Sequence, residues 1–323
     1  MSATANIPRS STLRILAAFG AIYFIWGSTY LFIRWGVETI PPFILAGARH
    51  VFAGTVMLVL VLRQGWVKTT AQQWLSCAIV GTLLLVGGNG GVTWAEQRIA
   101  SGLASLLVAT MPLWLVLLDW LRPGGVAPRA GAALGLLLGF GGVALLVWPS
   151  KLGANGVDML GAAVVVLAAL SWATGSLYSR RGHLPGSLFQ AATMQSFSGG
   201  AVLWLLATFT GEWGQLDPVR VSVKSLLSLA YLVIFGSALG FTAYIWLLRV
   251  TTPTRVSTYA YVNPVVAVLL GWAFAGEPVS GRMLSATALI VVAVALVIMN
   301  QHRPSPSEPM KEVVPANAAE CAD

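Results

Sequence analysis

Ten apolar runs, each about as long as a membrane-spanning helix and joined by short polar stretches, constrain this chain more than any other feature. They fall at about 13–33, 43–62, 73–93, 101–121, 130–148, 158–178, 187–210, 225–247, 254–274 and 282–300. A helix needs about 20 residues to cross the hydrocarbon of a bilayer. Backbone groups in lipid must find their partners within the segment, so runs of this length predict helices. The short alternating strands of a membrane barrel are absent from the sequence. A large soluble core is no alternative, because it would still need a charged surface and only 9% of the residues are charged. The expected fold class is an all-α polytopic membrane protein of ten transmembrane helices, with the lipid bilayer as its solvent. The first run is too long and too aromatic (Tyr23, Phe24, Trp26, Tyr30, Phe32) for a cleaved signal and reads as the first span.

Lys and Arg set the orientation. With the amino terminus in the cytoplasm, twelve of them fall in inner loops and tails and six in outer loops, with Arg49 inside a run. The expectation is therefore a multi-pass protein of the cell inner (plasma) membrane with both termini cytoplasmic. Although the net charge is +8, the basic residues are scattered singly and form no patch for nucleic acid.

The two halves resemble each other. Trp26, Leu31, Arg34, Phe43, Ala46 and Gly54 match Trp172, Leu177, Arg180, Phe189, Ala192 and Gly200 at an offset of 146. Further on, Leu75, Ser76, Gly88, Trp94, Pro112 and Trp120 match Leu227, Ser228, Gly240, Trp246, Pro264 and Trp272 at an offset of 152. The expected organisation is a cytoplasmic arm at 1–12, a first repeat at 13–148, a linker at 149–157, a second repeat at 158–300 and a disordered cytoplasmic tail at 301–323 rich in Pro, Glu, Ala and Ser. Five spans per half is an odd number, so the halves enter the membrane in opposite directions. Inverted repeats are the architecture of alternating-access carriers, with the substrate between them.

Four blocks carry a family likeness: IWGSTYLFIRWGVE (25–38), PPFILAGARHVFAG (41–54), GGNGGVTWAEQRIASGLASLLVATMPLW (87–114) and TYAYVNPVVAVLLGWAFAGEPVS (258–280). On these the chain resembles the drug/metabolite transporter superfamily, in its ten-helix branch of two EamA repeats and its YedA-type subgroup. The resemblance implies export of metabolites or drugs, usually amino acids or amphipathic compounds.

Polar and aromatic residues within spans are costly and tend to face a cavity or another helix. Tyr259 and Asn263 are four apart and share a helix face, just before Pro264, which frees a backbone carbonyl. Pro112 does the same beside Thr110. Such a site suits the ammonium group of a zwitterion on carbonyl oxygens, with the rings over its apolar part. Trp26, Ser28, Trp172 and Thr174 form a second candidate lining set, joined by Trp94, Tyr244 and Trp246, while Tyr30 and Tyr178 read as interfacial anchors. Asn89 sits in the cluster Gly87, Gly88, Asn89, Gly90, Gly91, whose counterpart holds Gly236, Ser237 and Gly240. Gly88 and Gly240 are candidate gating or close-packing positions. Arg49 needs water or a partner, and a substrate carboxylate, an ion pair with Glu96 and snorkelling to the interface all remain open. Gly131, Gly135 and Gly139 make a GxxxG ladder that fits either an internal helix contact or a homodimer.

No carboxylate lies near the middle of a run. That favours facilitated export, with Asp119 and Glu96 as the candidates should transport be coupled to protons, as in a multidrug efflux antiporter. The chain carries no GxxxxGK[ST] loop, no HExxH, no GxSxG and no metal-spaced Cys or His, so an enzyme, a cofactor and a metal are not expected. No repeated filter motif suggests a channel. A structural or receptor membrane protein is the remaining alternative of another class.

Overall fold

The computed structural model describes residues 12–125, 127–147, 158–251, 256 and 258–300, which are largely helical with no strand among them. The expected arm, linker and tail lie outside the described residues, apart from Thr12. In the first half the helices are α1 (Thr12–Gly36), α2 (Pro42–Gln64), α3 (Ala71–Ala95), α4 (Ser101–Leu121) and α5 (Ala130–Val147). In the second they are α6 (Met159–Ser179), α7 (Leu188–Phe209), α8 (223–250), α9 (Tyr259–Ala275) and α10 (Gly281–Met299). Seven helices are long and apolar enough to cross a membrane: α1, α2, α3, α4, α6, α10 and the Val223–Tyr244 part of α8. The other three apolar runs depart from that standard for local reasons. Apolar stretches in α5 and α9 are shorter, and α7 carries Gln190, Thr193, Gln195, Ser196 and Ser198.

Packing follows the repeat. Counterpart helices pair with each other, α2 on α7, α4 on α9 and α5 on α10, while α1 packs on α8 and α9 as α6 packs on α3 and α4. The glycine ladder of α5 lies against α10: a methyl on Gly131 would meet the Asn300 side chain, and one on Gly135 the Ala293 carbonyl. The ladder is therefore an internal contact. Close approach of this kind is how helices associate where no hydrophobic drive separates lipid from protein.

A wide π-helical turn interrupts both α3 (Thr82–Gly90) and α8 (Leu232–Leu239), and π segments of this kind recur at functional sites. Just there a tryptophan from the other half presses in. A methyl on Gly88 would lie 2.6 Å from Trp172 Cε3, and one on Gly240 would lie 2.5 Å from Trp26 Nε1. The matched glycines thus receive the matched tryptophans, each from the opposite repeat. The matched prolines behave differently: α4 breaks at Ala109–Thr110 ahead of Pro112, whereas α9 runs through Pro264.

Helix starts show a second exchange between halves. Asp158, Ser187 and Ser280 cap α6, α7 and α10 with their own side chains. Neither α2 nor α4 has such a cap. Instead Glu212 Oε2 accepts from Phe43 N (2.9 Å) and Ile44 N (3.0 Å), and Glu277 accepts from Ser101 N (2.7 Å) and Gly102 N (3.0 Å). A carboxylate suits the positive end of a helix dipole, and here both carboxylates come from the second repeat.

Candidate functional site

Three rings meet where α1, α8 and α9 converge. Trp26 lies 4.9 Å from Tyr259, edge to face, and 5.3 Å from Tyr244, with the two tyrosines 6.1 Å apart. Trp26 is fixed by its Nε1 donating to the Gly236 carbonyl at 3.1 Å, a group available because the π turn loosens α8 at that point. Below the rings, the buried Asn263 amide, in the orientation that satisfies its nitrogen, donates to the carbonyls of Tyr259 and Tyr23, each at 3.2 Å. Tyr23 OH in turn lies 2.5 Å from Thr258 Oγ1.

Next to this aromatic group lie buried charges. Arg49 is only 8% exposed, so it does not snorkel, and its Nε donates to Ser237 Oγ at 3.0 Å. It forms no ion pair with any described residue. Its neighbour His50 lies 3.4 Å, Nε2 to Nδ2, from Asn89. Glu96, at the end of α3, is 0% exposed and neither carboxylate oxygen has a hydrogen-bond partner among the described residues. The Arg34 guanidinium donates to the Glu96 backbone carbonyl, not to its carboxylate. Tyr30 is in the electrostatic field of both Glu96 and Arg49, and Tyr259 is in that of Tyr30. Tyr30 therefore links the aromatic group to the charges, one helical turn along α1 from Trp26.

Several other candidates stand apart. Ser28 faces Tyr231, with the hydroxyls 2.7 Å apart, since it is two residues from Trp26 and on another side of α1. By the same phase Thr174 is exposed and bonds back to Leu170 O, while Trp172 packs on Gly88. Trp94 lies under the Arg98 guanidinium at 4.9 Å, near the end of α3. Trp246 packs with the Ile22, Leu247 and Val256 cluster. Thr110 is buried and bonds to Leu107 O at 2.6 Å. Asp119, 43% exposed, pairs at 2.6 Å with Arg122 just past the end of its helix, far from a buried coupling position. Sequence reasoning missed Ser237 as the partner of Arg49, and it placed Tyr30 among the anchors. The spacing Trp26–Tyr30 was the available signal.

The end of the bundle where α1 gives way to α2 is tied across the halves. Lys224 Nζ pairs with Glu38 at 2.7 Å, Arg98 with Asp158 at 3.2 Å, and Thr39 Oγ1 lies 2.8 Å from Ser225 Oγ. The Gly161 amide, with Arg98 beside it, holds the Asp158 carboxyl below its usual range. Burial pushes the Glu212 carboxyl up, against the pull of the Ile44 and Phe43 amides. The opposite end is tied as well: Gln190 accepts from Val67 N at 3.2 Å and donates to Val67 O at 2.7 Å, and Gln72 Nε2 lies 3.1 Å from His183 Nδ1, beside a cavity of about 280 Å³ lined by Lys68, Thr69, Gln73, Pro185 and Ser187.

The description of the EamA-like transporter family matches residues 13–148 and again 159–299. The chain belongs to that family. Its two EamA repeats are thus the two halves whose packing mirrors each other, and the candidate site takes Trp26, Tyr30, Arg49 and Glu96 from one and Ser237, Tyr244, Tyr259 and Asn263 from the other. This EamA-like chain is 38% identical over 291 residues to the uncharacterized inner membrane transporter YedA of Escherichia coli K12, covering 90% of this chain and 92% of that one. It is 24% identical to the uncharacterized transporter YvbV of Bacillus subtilis, over 90% and 93% of the two chains. The WAT1-related chloroplastic protein At3g02690 of Arabidopsis thaliana is 26% identical, over 85% and 67%. A crystal structure with 21% identity covers 91% of this chain and 100% of its own at a TM-score of 0.61, which places the two in one fold.

Proposed function

We propose that this EamA-like protein is a secondary transporter of the inner membrane that exports small metabolites (amino acids, their analogues or amphipathic compounds) by alternating access. In this reading all ten helices span, the two repeats are inverted, and both termini are cytoplasmic. Kinship with inner membrane transporters supports the class. The observation that carries the substrate reading is the join between repeats, where three aromatic rings adjoin a buried arginine that pairs with no described carboxylate. Rings suit an apolar side chain, and a guanidinium suits a carboxylate.

The positive-inside orientation puts the α1–α2 end outside. Its ties across the halves then form the outer gate. Opening outward would break Lys224–Glu38 and Arg98–Asp158 and free the Glu212 and Glu277 caps. These contacts are few and exposed or helix-terminal, as a reversible gate requires.

The test is efflux of a labelled amino-acid panel from proteoliposomes. Tyr259→Ala and Asn263→Ala should each lower the rate about tenfold with normal membrane insertion. Unchanged efflux in both variants would remove the site from this place.

A further inference from the structure

Glu96 is the least accommodated polar group among the described residues. Its carboxylate is 0% exposed, sits at the junction of α3 and α4, and receives no hydrogen bond from any described residue. The charged or titratable groups that act on it among the described residues are Tyr30 and Arg34 from α1, Arg49 from α2, and Glu277 from beyond α9. Arg34 is turned to the backbone carbonyl. Glu277 already has two amide donors at the start of α4, and a carboxylate there opposes a second negative charge nearby. A buried carboxylate in such surroundings needs either a proton or a cationic donor. Arg49, also buried, does not supply it, for the two do not pair.

We propose that Glu96 is an exchange site, holding a proton in the unloaded transporter and yielding it to the ammonium group of an α-amino acid whose carboxylate rests on Arg49. The apolar side chain of that substrate would lie towards Tyr30, Tyr259 and Trp26. The proposal rests on the transport reading above and adds its coupling. On loading, Glu96–COOH becomes Glu96–COO⁻ hydrogen-bonded to –NH₃⁺, and its proton passes to water on the side to which the site is open. One proton is then exchanged for one zwitterion, and a proton gradient directed inward drives export. A buried arginine and a buried carboxyl that do not pair with each other offer a zwitterion a partner for each of its ends.

The experiment uses purified full-length protein in weakly buffered detergent with a pH indicator, titrated with L-phenylalanine, and the same protein in liposomes for exchange of labelled phenylalanine. The expected result is about one proton released per phenylalanine bound, an affinity that rises up to about tenfold per pH unit while Glu96 is protonated, and no release with N-acetylphenylalanine. Glu96→Gln should weaken binding about tenfold, release no proton and leave an affinity that does not change with pH. Glu96→Asp, which keeps a titratable carboxyl, should retain the release and shows that the site tolerates substitution. Equal proton release from Glu96→Gln and the native protein would overturn the proposal, as would exchange by the native protein with no proton released. Failure of the native protein to exchange any amino acid would overturn the transport reading itself, and the proposal with it.

Discussion

Replacing Gly240 by alanine should displace Trp26 from the aromatic group. The added methyl would stand 2.5 Å from Trp26 Nε1 and 3.1 Å from the Phe235 carbonyl, closer than packed atoms tolerate. Backbone on one side cannot yield, so the indole must move, losing its hydrogen bond to Gly236 and its edge contact with Tyr259. Overpacking costs about 1–3 kcal/mol and the lost hydrogen bond about 0.5–1.5 kcal/mol. Against these, alanine gains about 1 kcal/mol of helix propensity over glycine. The net expectation is a loss of roughly 0.5–3.5 kcal/mol. Gly141 on α5 is the control, since a methyl there meets nothing within 4 Å and alanine should be neutral or slightly stabilising. Thermal unfolding of both variants in detergent, followed by tryptophan fluorescence, reads the difference. Gly240→Ala should melt lower than the native protein and Gly141→Ala should not. Equal melting of the two variants would refute the claim that glycine is needed where the opposite repeat's tryptophan presses in.

Other expectations follow from the same contacts. Glu277→Gln keeps one acceptor but removes the charge at the start of α4, and should cost about 1–2 kcal/mol, seen as a lower melting temperature. Asp158 has a depressed carboxyl, so its contribution is present above its ordinary value of 3.8 and is lost as pH falls through the lower folded value. Asp158→Ala should therefore be less stable than the native protein at neutral pH, with the gap closing below that range. Asp119→Asn removes only an exposed pair at one helix end and should leave efflux and its pH dependence unchanged.

Much of the architecture was legible because lipid imposes a length. The run at 101–121 became Ser101–Leu121 and that at 43–62 became Pro42–Gln64. Matched tryptophans and glycines announced the repeat, although only the structure shows that they meet across it. Three things escaped the sequence for physical reasons. The caps of α2 and α4 come from Glu212 and Glu277, more than 160 residues away, and no local signal announces a distant cap. Glu96 lies at the end of an apolar run, where a carboxylate ordinarily reaches water, yet packing of the α3–α4 junction closes it off. Thr174 was grouped with Trp172 by proximity in sequence, whereas two residues along a helix turn about 200°, and the threonine faces outward.

Counterflow tests the account most directly. Liposomes holding this protein and millimolar unlabelled amino acid are diluted into trace label, and uptake of the label is followed. A carrier that alternates between two faces takes up label faster when unlabelled substrate is inside, and the rate saturates. Uptake that is indifferent to internal substrate and rises linearly with concentration would be that of a channel and would contradict alternating access.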